Sequence, residues 1–204
     1  MNAEVVDIAT PHGLARAHLD EVARPRAALV LGHGAGGGIA APDLVAARDA
    51  ALECGLSAAL IEQPYRVAWR RAPAPAAQLD TAWTSVVQAL QGGVLAGLPL
   101  VVGGRSLGAR VACRTSAATG ATGVLCLAFP LQPPRRTGAP TSRLPELEAV
   151  QAPVLVVQGA RDPFGIPLSG PARKVVIVQG DHSLRTDRAA VAAAVRDWLT
   201  VLVP

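Results

Sequence analysis

Aromatic residues make up only 3% of the chain, so the stacking platforms that single-stranded nucleic acids require are scarce. Lysine is almost missing as well. Lys174 is the sole one, and the remaining basic charge is arginine scattered along the chain, with only Arg70-Arg71 and Arg135-Arg136 as adjacent pairs. The net charge of +4 and pI near 9.6 are therefore read as an arginine habit on a solvated surface, not as a nucleic-acid footprint. Cysteine is rare too: Cys54, Cys113 and Cys126 cannot all pair, and none stands in a CxxC or Cys/His spacing. Buried free thiols in a reducing compartment are expected, with no metal centre. No apolar run approaches the roughly eighteen residues of a membrane span. The start, Met1 to Asp7, lacks a basic stretch and a long apolar core, so no signal peptide is expected and the cytoplasm is the default setting. Gly-Lys-Ser/Thr does not occur, which removes a Walker A phosphate loop.

What is present is apolar and regularly punctuated. With 204 residues and 50% hydrophobic content, the chain suits one well-buried domain spanning 1–204. Residues 5–8 and 14–19, joined by Pro11-His12-Gly13, read as a hairpin. Further strands are expected at 27–31, 56–61, 99–103, 123–129, 154–158 and 175–178. Helices are expected at 42–52, 79–90, 107–118 and 186–202, on the three-and-four spacing of apolar residues such as Leu79, Trp83, Val86, Val87 and Leu90. Strands alternating with helices predict an α/β fold. Its sheet is mostly parallel with helices on both faces, and the hairpin adds antiparallel strands at one edge. Residues 63–77 and 130–144 read as loops, neither long enough for a lid domain.

Gly104-Arg105-Ser106-Leu107-Gly108 follows an apolar strand and precedes a helix. A serine on a sharp strand-to-helix turn projects its hydroxyl above the sheet edge, and small residues two before and two after relieve the crowding. The following helix aims N–H groups and the positive end of its dipole at a developing oxyanion. With seven serines and 20 glycines, G-x-S-x-G arises by chance in roughly 0.07 of shuffled chains, and the flanking elements lower that further.

A serine hydroxyl needs a base, and the base needs a third group to fix its tautomer. In a parallel sheet these groups belong on loops at the carboxyl ends of strands. Asp162, in Gly159-Ala160-Arg161-Asp162-Pro163, and His182, in Gly180-Asp181-His182-Ser183, each stand where a strand ends. His182 is the only histidine after Ser106, and no acid occurs between Ser106 and Glu146. Asp181 adjoins His182, and immediate neighbours rarely face each other. Each residue has a plainer role open to it: a turn serine, a turn former before Pro163, a helix-capping segment. Their joint order is what argues for Ser106 as nucleophile, His182 as base and Asp162 as orienting acid.

The glycine-rich run Gly32-His33-Gly34-Ala35-Gly36-Gly37-Gly38 follows the strand at 27–31. Passing the nucleophile, it would supply an oxyanion donor from the amide of Ala35, with Leu107 supplying the other. The same letters satisfy G-x-G-x-x-G through Gly32, Gly34 and Gly37, with Glu62 at the end of the next strand, a dinucleotide fingerprint at face value. Two features oppose that reading. The helix start is delayed to Pro42, and a hairpin precedes the strand.

Together these segments resemble the α/β-hydrolase superfamily over nearly the whole chain, most closely its small, lidless, dienelactone-hydrolase-like branch. Within that branch, His33 to Gly37 and Gly103 to Arg110 are similar to the hydrolase-like domain of a testis-expressed protein group and a chromatin-complex subunit. The resemblance implies an eight-strand-type sheet, no metal or organic cofactor, and hydrolysis of a small ester-like substrate through an acyl-enzyme. It carries the nucleophile to Ser106, the acid to Asp162, the base to His182 and the oxyanion amides to Ala35 and Leu107. Dienelactone hydrolases proper have cysteine where Ser106 stands, so their lactone substrate is not carried over. Some members of the narrower group serve as interaction domains, which makes a catalytically silent binding module the leading alternative, ahead of a dinucleotide-binding protein.

Because a neutral imidazole is required, activity is expected to fall on acidification through the ordinary histidine range. Arg105 beside the nucleophile, and Arg66, Arg70 and Arg71 in the loop at 63–77, could favour an acidic acyl substrate. The plainer reading is solvent-facing side chains or a salt bridge to Glu62. A small-molecule substrate at a shallow, open site is expected. The oligomeric state is not legible in the sequence.

Overall fold

Strand β3 (Ala27–Gly32) is buried along its whole length, and its side chains alternate between two cores. Ala28 and Val30 face one, whereas Ala27, Leu29 and Leu31 face the other. A parallel strand covered on both faces must be apolar at every position, which is why these segments show no polar alternation. The structure, a computed structural model, describes residues 4–132 and 141–203.

Eight strands form one sheet in the order β1-β2-β4-β3-β5-β6-β7-β8. β1 (Glu4–Thr10) and β2 (Gly13–Asp20) make the antiparallel hairpin, and β2 runs antiparallel to β4 (Leu56–Glu62). From β4 through β3, β5 (Leu100–Arg105), β6 (Gly123–Leu127), β7 (Val154–Gly159) and β8 (Arg173–Val178), every pairing is parallel. Helices α1 (Pro42–Glu53) and α6 (Arg188–Leu202) cover one face, through Leu44, Ala47, Val191, Val195 and Leu199. Helices α3 (Ala76–Gln91) and α4 (Leu107–Thr115) cover the other, through Leu79, Trp83, Val87 and Val111. The expected α/β-hydrolase architecture, with its edge hairpin and two-sided helical cover, is the one observed.

Two short helices add to the expected elements: α2 (Pro64–Val67) inside the expected loop at 63–77, and α5 (Leu144–Glu148) at the end of the one at 130–144 and beyond it. Each is four or five residues long with proline in its first turn, too short to display a helical period. Part of the expected loop at 130–144, including Arg135-Arg136, lies outside the described residues. Elsewhere the differences are at element ends. β3 and β4 each run one residue further, α3 starts three residues earlier, and α4 and β6 stop short of the expected 118 and 129. Cys54, Cys113 and Cys126 are free and buried. Hydrogen bonding with Cys113 (Sγ–Sγ 3.5 Å) and burial push the Cys126 thiol up, keeping it protonated. Among the described residues, no helix is long and apolar enough to cross a membrane.

Candidate active site

Ser106 sits between β5 and α4 with φ 52° and ψ −105°, a backbone state that costs about 1–3 kcal/mol and persists only where its surroundings enforce it. They do so here. The Ser106 N–H donates to Leu127 O on β6 at 2.9 Å, and its carbonyl accepts from Arg110 N–H in the first turn of α4. The flanking glycines are required by space. A Cβ on Gly104 would lie 2.5 Å from Gly32 O and 2.7 Å from Gly108, and one on Gly108 would strike the Gly32 carbonyl. G-x-S-x-G is thus the place where β5, α4 and the end of β3 pack backbone to backbone.

The two loops after β7 and β8 are joined to each other. Ala160 N–H donates to Val178 O, and Arg161 N–H donates to Gly180 O, both at 2.9 Å. Gly159 leaves room for the Asp181 carbonyl, where any Cβ would collide. This pairing sets His182 between the other two candidates. Its Nε2 is 2.9 Å from Ser106 Oγ, and its Nδ1 is 2.8 Å from Asp162 Oδ2. Phe164 supports the ring edge-on, with centroids 4.4 Å apart at 63°. All three residues named from the sequence are therefore in one hydrogen-bonded series. Asp181 is turned elsewhere: its Oδ1 accepts from Ser183 N–H and Oγ–H, and these bonds hold its carboxyl below the usual carboxylate range.

Asp162 has a fully buried side chain and the donors such a carboxylate needs. Oδ1 accepts from Phe164 N–H at 2.9 Å, while Oδ2 accepts from Gln158 Nε2 at 2.8 Å as well as from His182. Gln158 Nε2 also lies 3.0 Å from Phe129 O and 2.9 Å from Gly165 O, so its two hydrogens serve three acceptors. Gln158 was missed in the sequence. The available signal was a lone amide ending the apolar strand Val154 to Val157.

The glycine-rich loop does pass Ser106. A Cβ on Gly34 would stand 3.6 Å from Ser106 Cβ. Among the described residues, neither the Ala35 nor the Leu107 N–H donates to a protein acceptor. The loop is held from β4 and α2. His33, buried, accepts at Nε2 from Gln63 N–H (3.2 Å), which leaves the ring proton on Nδ1 to donate to Gly34 O (2.9 Å). Tyr65 O–H donates to Ala35 O at 3.2 Å. Burial holds His33 below its ordinary range and pushes Tyr65 up to about 12. The dinucleotide reading finds no support in this geometry: α1 begins only at Pro42, and Glu62 is paired with His18 at 3.0 Å.

Of the two plainer readings for the arginines, the solvent-facing one holds for Arg70 and Arg71, which are exposed, whereas the salt bridge to Glu62 is not formed, since His18 pairs with it. Arg105 is not free either. Its Nε is 3.0 Å from the buried carboxylate of Asp43, and its Nη2 donates to His182 O at 3.1 Å. Two cavities open at this rim. One of about 400 Å³ is bounded by Gly36–Gly38, Arg105, Ser183 and Arg185, next to the residues flanking Ser106 and His182. The other, about 320 Å³, lies beyond Tyr65 on the β2–β4 side and is bounded by His12, Gln63, Arg70 and Leu79.

A serine, an imidazole and a buried carboxylate in series at the carboxyl ends of parallel strands define the class: a doubly covered α/β sheet with a hydrolase-type nucleophile turn. Residues 25–198 match the family model described as an alpha/beta hydrolase domain, and the chain belongs to that family. Solved structures agree on the fold. An alpha-beta serine hydrolase homologue from Coxiella burnetii is 15% identical with a TM-score of 0.78, covering 98% of both chains. A dienelactone hydrolase from Anabaena variabilis is 16% identical with a TM-score of 0.79, covering 100% of both. A serine hydrolase without lid from Xanthomonas campestris is 17% identical with a TM-score of 0.72, covering 97% of this chain and 95% of that one. No curated protein matches the chain in sequence.

Proposed function

We propose that this chain is a serine hydrolase cleaving small ester or thioester substrates through an acyl-enzyme. The observation that carries the reading is the unbroken series from Ser106 Oγ to His182 Nε2 (2.9 Å) and from His182 Nδ1 to Asp162 Oδ2 (2.8 Å). In this reading His182 takes the serine proton as Oγ attacks the carbonyl carbon. Asp162 stays ionised and keeps the imidazole in the tautomer whose Nε2 can accept. The amides of Ala35 and Leu107 receive the oxyanion, where losing one such donor typically costs on the order of 10²–10³ in rate. The tetrahedral intermediate then breaks its bond to the leaving oxygen or sulfur, which receives the serine's proton from His182 and departs as the alcohol or thiol. Water, deprotonated by the same imidazole, then attacks the acyl carbonyl, and His182 returns that proton to Ser106 Oγ as the acid departs.

The cavity of about 400 Å³ at the glycine-rich loop supports small substrates. It is bordered by glycine, alanine, proline, serine and arginine, and large apolar side chains are not among its lining residues. The test is a panel of oxygen esters and thioesters of increasing acyl length, assayed with the wild type and Ser106→Ala. Turnover of short acyl groups, reduced by several orders of magnitude in the variant, is the expected result. Equal rates for the two proteins would refute the reading, and no turnover of any member by a folded sample would favour a binding module.

A further inference from the structure

We infer that Tyr65, together with His33, is a positioning residue that fixes the Ala35 amide as an oxyanion donor. The inference rests on the serine-hydrolase reading above and deepens it.

In a planar trans peptide the C=O and the following N–H point in opposite directions, so holding one aims the other. The peptide that presents the Ala35 N–H has Gly34 O as its carbonyl, and that oxygen is held by His33 Nδ1–H at 2.9 Å. The next peptide begins with Ala35 O, held by Tyr65 O–H at 3.2 Å. Both planes flanking the Ala35 Cα are thus tied down, which leaves its two backbone dihedrals no freedom to swing the amide. The two holders brace each other: their rings meet edge-to-face with centroids 5.6 Å apart. His33 is itself oriented by Gln63 N–H, two residues before Tyr65. The loop has turn bonds of its own, Gly37 N–H to Gly34 O and Ala41 N–H to Gly38 O, both at 3.3 Å. The short helix α2 that carries Tyr65 adds the hold on Ala35 O, which those turns leave without a partner, in a stretch of glycines that would otherwise sample many conformations.

The clamp also keeps its hydrogens. Tyr65, pushed up to about 12 by burial, does not lose its proton where a histidine base operates, and burial disfavours protonating His33. The donor directions then do not change over the working pH range, so the oxyanion site is set before substrate arrives. Such preorganisation is what makes backbone donors effective.

Tyr65→Phe removes the hydroxyl and keeps the ring. Wild type, Tyr65→Phe, His33→Gln and the double variant are compared for kcat and KM on an oxygen ester and on its thiono analogue, in which sulfur replaces the carbonyl oxygen. Ser106 labelling by a fluorophosphonate and the melting temperature are recorded alongside. In Tyr65→Phe, kcat on the oxygen ester is expected to fall roughly ten- to hundred-fold with KM little changed, part of what losing a donor costs. The thiono ester, a poorer occupant of a donor site shaped for oxygen, is expected to slow less, so the oxygen-to-thiono rate ratio drops. A merely structural role would lower both rates together and leave the ratio intact. An unchanged ratio, or wild-type kcat in Tyr65→Phe, overturns the inference while leaving the serine-hydrolase reading standing. If the wild type neither labels at Ser106 nor turns over either ester, the reading itself fails and the inference falls with it.

Discussion

The guanidinium of Arg105 lies 3.0 Å from Asp43 Oδ2, and the Asp43 side chain is completely buried. Neither carboxylate oxygen makes a well-aligned hydrogen bond among the described residues, so the contact is one of charge. Burial raises the Asp43 carboxyl above its ordinary 3.8 and Arg105 opposes the rise. From this follows a first prediction. Arg105→Met strands a buried carboxylate and should cost about 3–5 kcal/mol in urea unfolding at neutral pH. A carboxyl with a raised folded pKa gives its full stability below the unfolded value and loses it as pH rises through the folded one. The deficit of Arg105→Met should therefore shrink on acidification. Adding Asp43→Leu should restore most of the stability but not the activity, because His182 O has still lost its donor.

Gln158 and Asp162 lead to a second prediction. Gln158→Leu removes the donor to Asp162 Oδ2 and the donor to Gly165 O, while Phe129 O keeps the Leu131 N–H at 2.9 Å. Leaving these acceptors short of donors should destabilise the protein by about 1–3 kcal/mol. A loosened Asp162 should lower kcat roughly ten- to hundred-fold. Paired unfolding and kinetic measurements check both numbers.

His33 should make the fold acid-sensitive. Burial is the main cause of its depressed pKa, with Arg66 adding to it and the Gly34 carbonyl and Glu62 opposing. A histidine with a depressed folded pKa contributes stability above its ordinary 6.5, and that contribution is lost as pH falls toward the folded value. Unfolding free energy measured from pH 8 downward should decline below about 6.5 more steeply in the wild type than in His33→Gln. Parallel curves would show that His33 is protonated equally easily in both states.

Trp69 carries a cost that a single change removes. It caps α2 with φ 57°: its N–H donates to Arg66 O and the Arg70 N–H to Tyr65 O, the hydrogen bonds of a left-handed helix cap that glycine fills best. At 92% exposed, the indole gains little by burial. Trp69→Gly should stabilise the protein by about 1 kcal/mol, read as a raised melting temperature.

Ser106, Asp162 and His182 could be read from the sequence because each stands at a strand end, and the ends of parallel strands share one rim whatever the details of packing. The resemblance to a known family reinforced that reading. Gln158 left a faint trace as a polar letter in an apolar run. Tyr65 left none, since its partner Ala35 is thirty residues away and the helix that carries it is a single turn. Arg105 was legible as a neighbour of Ser106 but not as a charge already matched. Asp43 opens α1, where an acid is ordinary, and only the packing of α1 against the nucleophile turn brings the two together. Local patterns thus revealed the strands and the three groups that meet at the rim, while long-range contacts decided what holds those groups in position.

In the proposed reaction Ser106 is an activated nucleophile, and reaction with a fluorophosphonate tests that directly. Folded wild-type protein should take up one equivalent, mapped to Ser106 by peptide mass spectrometry, with no uptake in Ser106→Ala and slowed uptake in Asp162→Asn, whose imidazole is held in the wrong tautomer. A folded wild type that stays unmodified, or one modified at another residue, would contradict it.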